Sequence, residues 1–249
     1  MLTVFPFYED DTDRMLQLLE WIHDLGGCPT HEALLVADAG VDWKVSREIV
    51  AASRTSFKKS TLITNGESVI GWIEGPKSLF LAAAQYASKK GVPFLQMETD
   101  AIPLKRGWMD TISEAYRQGG RPYMGHVYKN DLPQFPAFCL SGIAVYPPSV
   151  FSYKNAIAQG QCWDMTLSNF VIADTQPTKL IHHVWGERDN PPTFVRVKKD
   201  SSRQPFTLAD IPKEAVVFHR NKDFSLVRLL WEKFGITKEI VCSLGETSA

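Results

Sequence analysis

The chain has no apolar run approaching the length of a membrane span, no CxxC pair and no excess of charge of either sign. The first absence argues against a spanning helix. Lys and Arg number 27 against 28 Asp and Glu, a formal net charge of −1. That removes the global basic field behind non-specific nucleic-acid binding, while a local basic patch remains open. Cys28, Cys139, Cys162 and Cys242 are scattered, which points to reduced thiols rather than a zinc knuckle or a disulfide frame. The N-terminus is apolar at once (Met1-Leu2-Thr3-Val4-Phe5), lacks a basic n-region and soon turns acidic, so it does not read as a signal peptide. A soluble, cytoplasmic protein is expected. Repeats, low-complexity tracts and clear linkers are missing too, so residues 1–249 are expected to form one domain, and 44% hydrophobic content can supply its core.

What is present is an alternation of strand and helix. Leu2 to Phe7 reads as a buried strand, and Asp10-Asp11-Thr12-Asp13 offers N-cap chemistry for a helix whose Met15, Leu18, Leu19 and Ile22 form an apolar stripe ending at Gly26-Gly27. Ala33 to Ala37 and Ser60 to Thr64 read as strands around a helix over Val45 to Ala52. A helix from Gly75-Pro76 to Lys89-Lys90-Gly91 leads into a strand over Pro93 to Met97. This order predicts a parallel α/β sheet. Trp108 to Arg117 is a further predicted helix. In the second half, strands are expected over Tyr123–Tyr128, Ser141–Tyr146, Leu180–Trp185 and Ala215–His219, helices over Ser149–Gln159 and Asp164–Ile172, and a mobile loop over Gly186–Gln204.

The stretch richest in chemistry is Phe94 to Asp100. Four mostly apolar residues run into two carboxylates one residue apart, with Ala101-Ile102-Pro103 closing the turn. A buried strand ending in Glu-x-Asp puts carboxylate oxygens at the sheet edge, where a hard divalent cation and its phosphate ligand can sit. Together with the helix Gly75-Pro76-Lys77-Ser78-Leu79-Phe80-Leu81-Ala82-Ala83-Ala84 and the entry Gly91-Val92-Pro93-Phe94, this pattern resembles the nucleotide-sugar half of a GT-A glycosyltransferase. The resemblance implies a single Rossmann-like GT-A domain, a mainly parallel central sheet flanked by helices, with a nucleotide-sugar-binding half (1–103) and an acceptor-binding half (104–249). It implies transfer of a hexose or pentose from a nucleotide sugar to an acceptor hydroxyl, assisted by Mn²⁺ or Mg²⁺. Asp100 would then be the direct metal ligand and Glu98 would act on the metal through water or on the ribose. The chemistry agrees, because a departing nucleoside diphosphate gathers negative charge that a divalent cation stabilises without a proton.

The resemblance extends to Val216-Val217-Phe218-His219-Arg220-Asn221-Lys222-Asp223, where several GT-A enzymes place a metal-binding His followed by a phosphate-binding Lys. It implies His219 as a third ligand and Lys222 on the diphosphate, although the family often has glycine where Arg220 and Asn221 stand. His183, in Leu180-Ile181-His182-His183, is a rival ligand, since adjacent histidines on a strand face opposite sides. Trp185 could stack on a sugar or base. Asp164 lies where inverting members carry the base that deprotonates the acceptor, and it also reads as an ordinary N-cap. Gly142 permits close approach of backbone to sugar or acceptor. Arg54 and Lys77 are candidates for the donor phosphates or sugar, and Tyr8 and Asp38 for the base pocket. Arg188, Arg196, Lys198, Lys199 and Arg203 could track a polyanion or simply be solvated. Transferases of this look occur in bacteriophages, so the resemblance admits a hydroxymethylated DNA base as acceptor and a bacterial host cytoplasm as location. Two other classes stay open. A nucleotidyltransferase would need a glycine-rich basic loop after its first strand, where this chain has Pro6-Phe7-Tyr8-Glu9-Asp10. A non-catalytic carbohydrate- or nucleic-acid-binding module would bind no nucleoside diphosphate through metal.

Overall fold

Period-two alternation in the first strands dictates a sheet covered on both faces. In the strand Leu2–Phe7 (β1), Phe5 and Phe7 enter one hydrophobic cluster while Leu2 and Val4 enter another. The strand Cys28–Ala37 (β2) divides likewise, with Ala33, Leu35 and Ala37 on one side and Leu34 and Val36 on the other. A strand buried on both faces needs helices above and below, which is how parallel α/β sheets are built. The computed structural model describes residues 1–66, 68, 69, 71, 73–131, 133–184 and 207–236.

Helices α1 (Thr12–Asp24), α2 (Trp43–Arg54) and α3 (Glu74–Lys90) alternate with β1, β2, β3 (Phe57–Thr64) and β4 (Phe94–Gln96). Helix α4 (Trp108–Gly119) precedes β6 (Tyr123–Lys129), β7 (Phe138–Tyr146), α5 (Lys154–Gln159), α6 (Trp163–Val171) and β8 (Thr175–Pro177). The seven-stranded sheet has the order β3-β2-β1-β4-β7-β6-β8. Among the described residues, its only antiparallel pairings are those of β7 with β4 and β6. The expected α/β class with a mainly parallel sheet flanked by helices is therefore the observed one. One face is packed by α1, α2, α4 and a final helix α7 (Ser225–Phe234), the other by α3, α5 and α6. No described helix is long and apolar enough to cross a membrane.

Several local expectations need correction. Ala101–Pro103 does not merely close a turn. The turn is already made when the Ala101 amide bonds the Glu98 carbonyl at 3.0 Å, and Ala101–Pro103 goes on as strand β5. With β9 (Ile181–His183) and β10 (Val217–His219) it forms a second sheet of order β5-β10-β9, in which β5 is an edge and so tolerates Pro103. The Pro103 carbonyl accepts from the buried Trp21 indole at 2.7 Å, tying α1 to this sheet. Asp11 makes no capping bond for α1; its carboxylate is turned to Arg14 and Thr99. The helix expected over Ser149–Gln159 is a 3₁₀ segment, Pro148–Tyr153, followed by α5. Helix α7 was not among the expected elements, and the loop over 186–204 lies outside the described residues.

Candidate metal and donor site

Strand β4 ends beside the centre of the sheet, and the chain turns through Glu98-Thr99-Asp100 into β5. Strand β10 runs antiparallel to β5 with His219 opposite Ala101, which sets the histidine beside the acidic turn. The Arg220 and Asn221 amides both donate to the Asp100 carbonyl, at 3.2 and 3.1 Å, and lock the two strand ends together. His219 Nε2 consequently lies 3.1 Å from Glu98 Oε2 and 3.2 Å from Asp100 Oδ1. Lys222 Nζ approaches Asp100 Oδ2 at 3.8 Å. The fold thus brings Glu98 and Asp100 together with His219 and Lys222, two pairs that stand more than a hundred positions apart in sequence.

Electrostatics in the cluster are strongly coupled. Burial alone would raise the Asp100 carboxyl, but His219, Lys222 and Arg14 hold it below the usual range. Burial would lower His219, and the charges of Asp100 and Glu98 outweigh it and push the imidazole up. One ligand atom from each of Glu98, Asp100 and His219 falls within 4.8 Å of the others. Two carboxylate oxygens and an imidazole nitrogen are a donor set suited to Mn²⁺ or Mg²⁺, and His219 Nε2 already points at both acids. The residues fit such an ion.

The turn after β10 is built to present Lys222. Asn221, fully buried, caps α7 by accepting from the Leu226 amide at 3.1 Å and donates to Asp223 and Ser225. Arg220 occupies a left-handed conformation with φ of +90°. For a residue with a Cβ this is strained by about 1–2 kcal/mol. Arg220→Gly is therefore expected to raise stability by about 1 kcal/mol after the entropy cost of glycine, measured by urea unfolding.

His183 lies on the other side of the His219 ring, with the two Nδ1 atoms 2.6 Å apart. It is absent from the three-residue cluster, and burial together with the His219 charge pushes its imidazole down to about 2. Asp164 sits in the first turn of α6, half-buried, and accepts from the Met165 amide at 2.9 Å. Burial, helped by Glu98 and opposed by the Met165 amide and His219, pushes its carboxyl up to about 6, so it senses the cluster. Trp163 before it is stacked on Phe80 of α3, with ring centroids 3.9 Å apart, which anchors the start of α6. Gly142 on β7 is packed closely by both sides of the site: a Cβ there would stand 3.1 Å from Trp163 and 3.6 Å from Glu98 Oε1.

Tyr8 follows β1, and the charges of Asp38 and Glu98 both act on it after burial itself, all raising its hydroxyl. Among the described residues that buried hydroxyl has no hydrogen-bond partner. It fits only because residue 75 is glycine, where a Cβ would come within 2.7 Å of it. Asp38 is saturated by the chain itself, accepting from the Gly40 and Val69 amides, Ser68 Oγ and Asn65 Nδ2. Its carboxyl is held low by these bonds against its burial. Lys77 is buried with its ammonium between Glu74 (2.8 Å) and the Ala158 carbonyl (3.2 Å), joining α3 to α5. Arg54 ends α2 just before β3 begins, at the edge of the sheet opposite Glu98 and Asp100. Trp185, Arg188, Arg196, Lys198, Lys199 and Arg203 lie outside the described residues.

Arg14, which no sequence motif singles out, bonds Asp11 and carries enough charge toward Asp100 to help hold it ionised. Its only signal was a lone cation after a run of acids at the start of α1.

No protein-family model matches the sequence, and no curated protein sequence matches it either. Solved structures do match. The apo structure of the bifunctional glycosyltransferase WbbM superimposes with a TM-score of 0.59 at 10% identity, over 95% of this chain and 50% of that one. The galactosyltransferase LgtC, in complex with donor and acceptor sugar analogs, gives 0.56 at 8% identity, over 96% of this chain and 98% of that one. The fold is GT-A. A weaker match to S. aureus TarS, TM-score 0.44 at 14% identity, takes in 67% of this chain and 33% of that one. The chain thus spans about a third of TarS and half of WbbM. At these identities the GT-A likeness speaks for architecture, and the chemistry rests on the residues themselves.

Proposed function

We propose that this chain is a metal-dependent glycosyltransferase, moving a sugar from a nucleotide-sugar donor to an acceptor hydroxyl. The observation that carries the reading is the convergence of Glu98, Asp100 and His219 where β4 ends, at the C-terminal edge of the sheet. Crevices at that edge are where open α/β sheets bind ligands. Glu98, Asp100 and His219 would hold the divalent cation, which when bound supplies positive charge at the diphosphate as the sugar departs.

The chain's own groups do the rest. Lys222 and Arg14 flank Asp100 and add charge beside the phosphates. Tyr8 offers its unpartnered hydroxyl to the nucleoside, and Asp38 fixes the pocket wall by tying its own turn, through Gly40, to Asn65, Ser68 and Val69. Gly142 lets Trp163 pack close to β7 beside Glu98, which sets the start of α6, and with it Asp164, near the acidic turn. Asp164 takes the acceptor proton as that oxygen bonds the anomeric carbon and the bond to the diphosphate breaks. Attack in one step on the face opposite the diphosphate inverts the anomeric centre, and a base at Asp164 favours that outcome.

A thermal-shift panel of nucleoside diphosphates and nucleotide sugars, with and without Mn²⁺, tests the reading. At a hundredfold excess over Kd, the matching nucleotide should stabilise by about 2.7 kcal/mol, and only with metal present. Equal stabilisation without metal would contradict the assignment of Glu98 and Asp100.

A further inference from the structure

Parallel pairing of β9 with β10 sets His183 directly beside His219, so both rings stand on one face while His182 takes the other. His219 turns Nε2 to the carboxylates and Nδ1 to His183 Nδ1, at 2.6 Å. Two ring nitrogens this close must share one proton, one donating and one accepting. A neutral His219 whose Nε2 lone pair is free for a cation carries its proton on Nδ1, so it donates to His183. His183 must then be the tautomer protonated at Nε2.

We propose that His183 is a positioning residue: it accepts the Nδ1 proton of His219, fixing that ring's tautomer and aim so that Nε2 is presented as a metal ligand. The proposal rests on the metal site proposed above, and it makes His183 a support for His219 rather than a competing ligand. Outer partners of metal-binding histidines orient the ring and raise its basicity. The surroundings hold His183 for this task. Its ring lies against Tyr128, centroids 6.1 Å apart at 22°, and against His126, centroids 6.0 Å apart. His126 itself stands where the β6–β7 register shifts between Gly125 and Val127, an irregularity of the kind that re-aims a side chain.

The test is Mn²⁺ binding to the full chain, read from the electron paramagnetic resonance of the free ion. His183→Leu keeps bulk but removes the acceptor and should weaken Mn²⁺ affinity about 10- to 100-fold. His183→Asn can place its amide oxygen where Nδ1 was and should return affinity to within about threefold of wild type. In ¹⁵N-resolved spectra of the Mg²⁺-loaded wild type, His183 should carry its proton on Nε2 and His219 on Nδ1. Wild-type affinity in the Leu variant, equal weakening in both variants, or a proton on His183 Nδ1 would overturn the proposal while leaving the metal site standing. A wild-type chain that binds no Mn²⁺ would overturn both.

Discussion

Asp100→Asn is expected to abolish metal-dependent nucleotide binding and to lower kcat/KM by about 10³-fold, roughly 4 kcal/mol of transition-state stabilisation. Asp100 is buried, ion-paired to His219 and within reach of Lys222, and its carbonyl anchors the turn after β10. The substitution keeps the carbonyl and the side-chain shape, so the strand ends stay joined while the anionic ligand is lost. The measurement is twofold: the Mn²⁺-dependent thermal shift with the matching nucleotide should vanish, and donor turnover should fall with it. If turnover dropped while the metal-dependent shift survived, Asp100 would be acting on something other than the cation.

Asp164→Asn should lower kcat by about 10²- to 10⁴-fold, the range a positioned general base contributes. Its pH behaviour distinguishes this role from a helix-terminal one. Burial pushes the carboxyl up to about 6, with Glu98 adding to the rise. A base must be ionised, so wild-type kcat/KM, which reports the free enzyme, should climb as pH rises toward about 6 and level off above it. Stability moves the other way. Because the folded value exceeds the unfolded one, the folded state binds more protons between the two, so this group favours folding at low pH and that contribution is lost as pH rises through about 6. Asp164→Asn removes the penalty of ionising a half-buried acid, and at pH 7 it should be more stable by about 1–3 kcal/mol. A variant that is both slower and more stable marks a group kept for chemistry. Unchanged kcat would remove Asp164 from the reaction. The product anomer, read by proton NMR, gives a second check, since inversion is the outcome an Asp164 base favours.

The legible parts of this protein are those written in short stretches. Phe94 to Met97 announces a buried strand because three of its four residues are apolar, and the structure divides those between the two cores, Phe94 to one and Leu95 and Met97 to the other. Glu98 and Asp100 stand out because carboxylates seldom end such a run unless solvated or liganded. His219 is visible for the same reason, after Val216-Val217-Phe218. What is not written locally is which strand ends meet. Strand β5 has three residues and a proline, too few for any period to emerge, yet it is the element that brings β10 to the acidic turn. The relation of His183 to His219 depends on the register of β9 against β10, which no spacing encodes.

Other residues were visible by type and undecided by place. Lys77 reads as a phosphate contact until the carbonyl of Ala158, 81 positions away, is seen to take its ammonium. Asp38 reads as a ligand contact until four donors from residues 40, 65, 68 and 69 are counted on it. Arg54 lies at the other edge because a helix following one parallel strand must return the chain to where the next begins. Arg14 and α7 are cases of the opposite kind. Leu226, Val227 and Leu230 stand at helical spacing, directly after the polar His219–Lys222 stretch, in a run too short to signal a helix strongly.

The central claim is that Glu98, Asp100 and His219 bind one divalent cation. Anomalous scattering from crystals grown with Mn²⁺ and a nucleoside diphosphate tests it most directly. A single strong peak is expected between the two carboxylates and His219 Nε2, lost in Asp100→Asn. A peak lying elsewhere, or a bound nucleotide with no peak at that position, would contradict it.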